Sequence, residues 1–212
     1  MKKILFLLLA STVILASCKS NEEKAEELIK KELSKTLYDF DSYQPIETIV
    51  NEAKANVFND TTCWHKAEVL AFGMEKTIEY ANKCTKAKEY MDIYGPPTSY
   101  SSSYSDKQYY KYKAECEEAL EEAQNSHRTC KRVALELKEL VSKLDTTEVI
   151  GWEVTHRFRC KTKGGSAAIG NYRYVIDKDF ETVLLREDTD EDEHVREAIK
   201  TLETDYWENM DL

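Results

Sequence analysis

Two long stretches of helical period, separated by helix breakers, restrict the possible folds of this chain most strongly. Apolar and small residues recur every three or four positions from about residue 60 to residue 144, as they do on one face of an amphipathic helix. Gly95-Pro96-Pro97 interrupts this pattern. Because proline cannot continue a helix, the chain can reverse its direction there. We therefore predict a long antiparallel helical hairpin over residues 57–144.

Each helix of the predicted hairpin has one face of apolar and small residues. On the first helix, this face comprises Cys63, Ala67, Leu70, Met74, Ile78, Ala81 and Cys84. On the second helix, it comprises Tyr109, Tyr112, Cys116, Ala119, Ala123, Cys130, Val133, Leu137, Leu140 and Leu144. Helices bury such faces against one another, so these residues are predicted to form the seam of the hairpin.

After the hairpin, the hydrophobic period changes to two. Residues 152–160 alternate apolar and polar side chains, which is typical of a half-buried strand. Lys163-Gly164-Gly165 predicts a turn. Residues 168–176 then predict a returning strand, and residues 183–185 predict a third one.

The remaining segments complete the predicted fold. Residues 22–37 have an amphipathic helical pattern, residues 38–42 contain turn formers, and residues 46–50 read as a short strand. The chain ends in a helix that we expect to begin at Asp190 as N-cap, with Glu193 three residues later. We predict an α+β fold: an antiparallel meander sheet covered by N- and C-terminal helices, with the long helical hairpin inserted after the first strand.

The first 17 residues have the three parts of a secretory signal. Lys2 and Lys3 precede an apolar run and small residues, and the run is shorter than the roughly 20 residues that span a bilayer. Leu15-Ala16-Ser17-Cys18 resembles the lipobox of bacterial lipoproteins. This resemblance implies cleavage before Cys18 and a lipid on its thiol. The alternative is an ordinary signal peptide with a chance cysteine.

Beyond the signal, we expect a polar tether over residues 18–24 and a single domain over residues 25–212. The chain has 40 Asp and Glu residues against 30 Lys and Arg, a formal net charge of −10. Loss of Lys2 and Lys3 with the signal takes this charge to −12. Such a surface repels nucleic acid and anionic lipid, so the predicted attachment to the membrane is through the Cys18 lipid and no nucleic-acid partner is predicted.

Two segments of the predicted sheet domain resemble one protein family. Leu33 to Pro45 (LSKTLYDFDSYQP) and Trp152 to Asp177 (WEVTHRFRCKTKGGSAAIGNYRYVID) are similar to a domain of Bacteroidetes lipoproteins that have no assigned activity. Residues 20–24 (SNEEK) resemble the acidic signal that sends some of these lipoproteins to the cell surface. The resemblance implies the outer membrane of a Gram-negative cell envelope, with the chain facing either the periplasm or the outside.

Five cysteines follow Cys18, namely Cys63, Cys84, Cys116, Cys130 and Cys160. An exported chain meets an oxidising compartment, so disulfides are expected. Pairing about a turn near residue 98 brings Cys84 opposite Cys116 and Cys63 opposite Cys130. The two separations differ by ~10 Å along the helices, so straight helices would accommodate one bridge more easily than both. Cys160 is expected to remain unpaired. The alternative to disulfides is that the cysteines are reduced and buried as small core residues.

No pattern in the sequence predicts catalysis, a cofactor or a metal ion. Cys63 and His65 are close in sequence, but positions i and i+2 of a helix point in different directions. The acids of residues 188–192 have calcium-loop spacing, yet the sixth position is not glycine and the twelfth is not glutamate. The histidines are scattered, and His156 is expected in the core.

Tyrosines concentrate in residues 90–112, which contain seven of the 13 in the chain, mixed with serines. Tyrosine offers a large contact area at low entropic cost and serine offers adaptable hydrogen bonds, a combination typical of recognition loops. We predict a non-enzymatic module that binds a protein, peptide or glycan. The predicted binding residues are Tyr94, Tyr100, Tyr104, Tyr109 and Tyr110. The alternatives are tyrosines that fold back on the hairpin, an envelope enzyme with an unrecognised active site, and a purely structural envelope component.

Overall fold

The computed structural model describes residues 19–204 and Trp207. Its elements are α1 (Asn21–Thr36), β1 (Asp39–Lys54), α2 (Thr61–Tyr94), α3 (Ser103–Ser142), β2 (Val149–Lys161), β3 (Ala167–Ile176), β4 (Val183–Asp188), α4 (Glu193–Lys200) and a 3₁₀ turn (Thr201–Glu203). The strands form one antiparallel sheet in the order β1-β2-β3-β4. The α+β class, the meander and the long helical hairpin after the first strand are confirmed.

The chain divides into two compact units, where the sequence predicted one domain. The sheet unit comprises the described residues up to Ala55 together with Thr146–Asp190. The hairpin unit comprises Asn56–Asp145 and the described residues from Glu191 onwards. The predicted limits of the hairpin, residues 57 and 144, thus lie next to the boundaries of the unit that contains it.

Helix α1 begins directly after Lys19 and Ser20, because Ser20 and Glu23 form a capping box. Ser20 Oγ accepts a hydrogen bond from the Glu23 amide at 3.2 Å, and Glu23 Oε2 accepts one from the Ser20 amide at 3.0 Å. The helix predicted over residues 22–37 is thus confirmed, and its first turn includes residues 21–24 of the expected tether. Cys18 lies outside the described residues, so its lipidation stays a prediction.

One face of the sheet packs against α1. This core comprises Ala25, Leu28, Ile29 and Leu33 from the helix and Val154, Phe158, Tyr174 and Ile176 from β2 and β3. The alternation predicted for β2 is confirmed. Its buried residues include Val154, His156 and Phe158, and its exposed residues include Thr155, Arg157 and Arg159.

Strand β1 is longer than the predicted strand 46–50, and it includes most of the predicted turn 38–42. Its ladder with β2 skips Ile46. Such a bulge reverses the alternation of side chains, which brings Tyr43 and Thr48 to the same face of the sheet. The period of two is lost at this point, so the sequence pattern could not show one continuous strand.

Helices α2 and α3 pack along a seam that largely follows the prediction. Its buried residues are Cys63, Trp64, Ala67, Leu70, Ala71, Cys84 and Ala87 on α2 and Cys116, Ala119, Ala123, His127, Cys130, Val133, Ala134 and Leu137 on α3. The prediction is wrong for Ile78 and Ala81, which are exposed. The seam runs instead past Gly73, whose carbonyl accepts hydrogen bonds from Thr77 Oγ1 at 2.9 Å and from Ser126 Oγ at 3.0 Å.

The two hairpin helices are long, with 34 residues in α2 and 40 in α3. Lys66 Nζ pairs with Glu136 Oε2 across the hairpin at 2.6 Å. Within the described part of the chain, no helix has both the length and the apolar character needed to cross a membrane.

The C-terminal helix α4 packs against α2 within the hairpin unit. Its buried residues are Val195, Ala198 and Ile199. Its apolar face is readable in the sequence, but such a face does not specify the surface that it covers. The N-cap is Asp192, and the prediction of Asp190 is wrong. The Asp190 carboxylate instead accepts a hydrogen bond from Asn171 Nδ2 at 3.1 Å.

Candidate binding site at the hairpin tip

The turn between α2 and α3 is fixed by its own polar groups. Gly95 ends α2 with a φ of 66°, and its amide donates to the Met91 carbonyl at 2.9 Å. Ser102 caps α3, because its Oγ accepts a hydrogen bond from the Ser105 amide at 3.1 Å. Ser105 Oγ in turn donates to the Tyr94 carbonyl at 2.8 Å. This last bond joins the end of one helix to the start of the next.

Inside the turn, a third serine is also engaged. Ser101 Oγ donates to the Thr98 carbonyl at 2.8 Å, accepts from the Thr98 amide at 3.0 Å and contacts the Asp106 carboxylate. The composition of this segment predicts that its serines offer adaptable hydrogen bonds to a ligand. The hydroxyls of Ser101, Ser102 and Ser105 are instead used to close the turn.

Four tyrosines stack on one another next to the turn. The ring centroids of Tyr90 and Tyr112 are 4.6 Å apart, and those of Tyr94 and Tyr112 are 5.9 Å apart, in both cases nearly parallel. Tyr104 meets Tyr94 edge to face at 6.2 Å. Desolvation and a hydrogen bond with Tyr104 raise the pKa of Tyr94. Since each aromatic pair contributes about 0.5–1.5 kcal/mol, the stack stabilises the tip.

The five tyrosines predicted for binding therefore divide into two groups. Tyr94 and Tyr109 are half-buried. Tyr100 is 98% exposed, Tyr104 64% and Tyr110 57%. Tyr100 lies in the turn and Tyr104 in the first turn of α3, whereas Tyr110 lies about 120° further around the helix from Tyr104. The end of the hairpin thus presents Tyr100 and Tyr104, with Tyr110 on its flank.

A disulfide between Cys84 and Cys116 joins the two helices close to the tip. Their Cα atoms are 4.2 Å apart, and the small side chains of Ala87 and Ala119 pack beside them. The bridge closes a loop of 32 residues that contains the whole turn. By restricting the unfolded chain, a loop of that length stabilises the folded state by about 3–4 kcal/mol.

The second candidate pair, Cys63 and Cys130, does not form a disulfide, and both thiols are buried. Cys130 Sγ lies against Gly73, where an added Cβ would approach it to 2.5 Å. Gly73 is about three helical turns beyond Cys63. The register that joins Cys84 to Cys116 therefore keeps Cys63 away from Cys130. Cys160 is also unpaired, as expected.

Cys63 and His65 do not form a nucleophile and base. Burial and the neighbouring Asp60 raise the pKa of the Cys63 thiol to about 12, whereas a reactive cysteine has a lowered pKa. His65 Nδ1 lies 2.8 Å from Glu68 Oε2 on the exposed side of α2. The thiol and the imidazole thus have separate surroundings.

His156 is completely buried, and both of its ring nitrogens are engaged. Nε2 lies 2.8 Å from Tyr43 Oη, and Nδ1 lies 2.9 Å from Thr48 Oγ1. Burial lowers the pKa of His156 to about 4. His156 is therefore a neutral core residue that connects β2 to both sides of the bulge in β1, in agreement with the sequence analysis.

No group of three or more His, Cys, Asp or Glu side chains in residues 19–204 and Trp207 is arranged to hold a metal ion. The acidic segment 188–192 forms a local turn, in which Asp188 Oδ1 accepts a hydrogen bond from the Asp190 amide at 3.1 Å. These acids serve the connection between β4 and α4.

No protein-family model, curated protein or solved structure matches this chain. The resemblance to Bacteroidetes lipoproteins stays a prediction from the sequence. Fold and tip together define an α+β protein whose disulfide-bridged helical hairpin presents tyrosine side chains at its end. Tyr90 and Tyr112, which the sequence analysis did not select, are the residues that support this tip.

We expect the protein to lose stability as the pH falls from about 6.5 to about 4. In the unfolded chain His156 takes up a proton near its ordinary pKa of about 6.5, whereas the folded chain resists protonation until about pH 4. The stabilisation is complete above the unfolded pKa. Proton uptake by the unfolded chain should lower the free energy of unfolding by up to about 3 kcal/mol across this window.

Urea denaturation of a His156→Gln variant at several pH values measures this effect. Glutamine can donate and accept hydrogen bonds but does not ionise, so the dependence on pH should be shallower than in the wild type. His127, whose pKa is also lowered by burial, contributes to both proteins. A Thr155→Gln variant, which changes an exposed neighbour on the opposite face of β2 and removes no titratable group, should keep the wild-type slope. Equal slopes for His156→Gln and the wild type would contradict the neutral, buried state.

Proposed function

We propose that this chain is a lipid-anchored lipoprotein of the bacterial cell envelope and that it acts as a non-enzymatic binding module through the tip of its helical hairpin. The observation that carries the proposal is the exposure of Tyr100 and Tyr104 on a turn held by hydrogen bonds, stacked rings and a disulfide. Exposed aromatic rings on a fixed backbone lose little entropy on binding.

The chemistry of the tip favours a partner with both apolar and polar groups. Each exposed tyrosine combines a flat apolar ring with a hydroxyl that can donate and accept a hydrogen bond. The flat face of a sugar ring and the side chains of a peptide or protein surface suit such groups. The hydroxyls of Ser101, Ser102 and Ser105 are engaged within the turn, so recognition falls mainly to the tyrosines.

The lipid anchor rests on the residues up to Cys18 and has its own test. Replacing Cys18 by serine should abolish incorporation of labelled palmitate and release the protein from the membrane fraction, because serine lacks the thiol that receives the diacylglycerol. Cys160→Ser, which removes a half-buried unpaired thiol, is the matched control and should still be labelled. A Cys18→Ser protein that carries label as the wild type does would disprove the anchor.

The binding role of the tip is tested by crosslinking in intact cells. A photoreactive phenylalanine analogue placed at position 100 should crosslink to one defined species. The same analogue at position 72, where the native Phe72 is 60% exposed on α2, should not. Truncation of a tyrosine at the centre of an interface costs about 2 kcal/mol, or about thirtyfold in affinity, so Tyr104→Ser should greatly reduce the crosslink.

Tyr110→Ser is the matched control for this experiment, since it makes the same change in a similarly exposed ring on the flank. It should leave most of the crosslink at position 100 intact. Crosslinks at position 100 that do not differ from those at position 72, or that persist in Tyr104→Ser, would contradict a binding role. Limited proteolysis of intact cells shows separately whether residues 94–108 face the outside.

A further inference from the structure

A shallow groove lies between α1 and the turn that joins β3 to β4 in the sheet unit. We infer that this groove binds the zwitterionic headgroup of a membrane phospholipid, in which a phosphate and a primary ammonium are close together. The inference rests on the proposed lipid anchor at Cys18, since the anchor is what would hold the groove at a bilayer. No sequence pattern points to this site, because its two sides are about 150 residues apart along the chain.

The start of α1 leaves little distance between the anchor and the groove. Only Lys19 and Ser20 separate Cys18 from Asn21, the first residue of the capped helix. Three Cα-to-Cα steps reach at most ~11 Å. Lys24 follows within one helical turn, or about 5 Å of rise. The groove therefore begins within about 16 Å of the proposed lipid attachment, and no flexible segment of the described chain intervenes.

The groove is lined by charges of both signs. Lys24 and Lys31 offer ammonium groups to a phosphate, while Asp179 and Glu181 offer carboxylates to an ammonium. Glu27 also borders the groove, but it already forms an ion pair with Lys19. The two remaining charges of each sign balance one another, so the groove complements a headgroup without net charge better than an anionic one.

Phe180 supplies an apolar side to the groove, and its backbone is held in an uncommon conformation. Its φ is 61°, a region that bulky residues rarely adopt. The ring centroids of Phe180 and Trp152 are 5.2 Å apart, and Lys24 Nζ lies 5.5 Å from the centroid of the Phe180 ring. Trp152 Nε1 donates to the Lys178 carbonyl at 3.1 Å, which fixes the turn. Tryptophan beside lysine is a combination typical of the membrane–water interface.

Quenching of tryptophan fluorescence by brominated lipid tests the inference on the lipidated protein. Vesicles are made from phosphatidylethanolamine with brominated phosphatidylcholine, or from phosphatidylcholine alone with the same brominated lipid. Trp64 and Trp207 are 1% exposed, so Trp152 is the tryptophan within reach of a quencher. We expect quenching in the vesicles that contain phosphatidylethanolamine and its loss in Trp152→Phe, which keeps an aromatic ring against Phe180.

Reversing the charge of the two lysines in the groove tests the predicted contact with the phosphate. Lys24→Glu with Lys31→Glu should abolish the quenching, whereas Lys163→Glu, an exposed lysine in the turn at the other end of β3, should preserve it. Circular dichroism verifies that the variants are folded.

The negative outcomes separate the groove from the anchor. Protein that binds the vesicles without quenching of Trp152, or with equal quenching in phosphatidylcholine alone, would overturn the headgroup site and leave the anchor intact. Lipidated protein that fails to bind either vesicle would overturn the anchor and the groove together.

Discussion

Small residues allow the two long helices to approach closely, and the disulfide between Cys84 and Cys116 fixes their register. Ala87 and Ala119 pack beside the bridge, and further along the hairpin Gly73 makes room for the Cys130 thiol. Every other pairing in the hairpin follows from this alignment, including the contact of Tyr90 with Tyr112 and the hydrogen bond from Ser105 to Tyr94. A shift of one helix past the other would separate the rings that support the tip.

In the sheet unit, a buried histidine holds two strands together, as the disulfide does for the two helices of the hairpin. The bulge at Ile46 places Tyr43 and Thr48 on the same face, where they hold both nitrogens of His156. Protonation would place a charged imidazolium away from solvent, and the cost of this desolvation keeps the ring neutral. The imidazole therefore joins β1 to β2 through its two hydrogen bonds.

The fold class could be predicted because its signals are local. Gly95-Pro96-Pro97 breaks one helical pattern, and the spacing of Cys84 and Cys116 about that break indicates their pairing. Strand β1 could not be recognised in full, because the bulge at Ile46 removes the period of two. The surface that α4 covers could not be predicted either, because an amphipathic face does not specify which element it packs against.

The candidate sites were only partly predictable for a related reason. Composition indicated the tyrosine-rich segment, but it could not distinguish packed tyrosines from exposed ones. Tyr94 stacks on Tyr112, whereas Tyr100 is exposed. The groove beside Phe180 depends on a positive φ and on contacts between distant segments. Neither the positive φ nor these contacts leave a pattern in the sequence, since the residue type alone does not show that a phenylalanine adopts the left-handed region.

The hairpin register holds the tip in one conformation, and the proposed binding role depends on this rigidity. Hydrogen–deuterium exchange of residues 94–105, before and after reduction of the disulfide, tests it most directly. With the bridge intact, the hydrogen-bonded amides of Gly95, Ser101 and Ser105 should exchange slowly. They should exchange much faster after reduction and in Cys84→Ala/Cys116→Ala. Rapid exchange in the oxidised protein, or rates that reduction leaves unchanged, would contradict a preorganised tip.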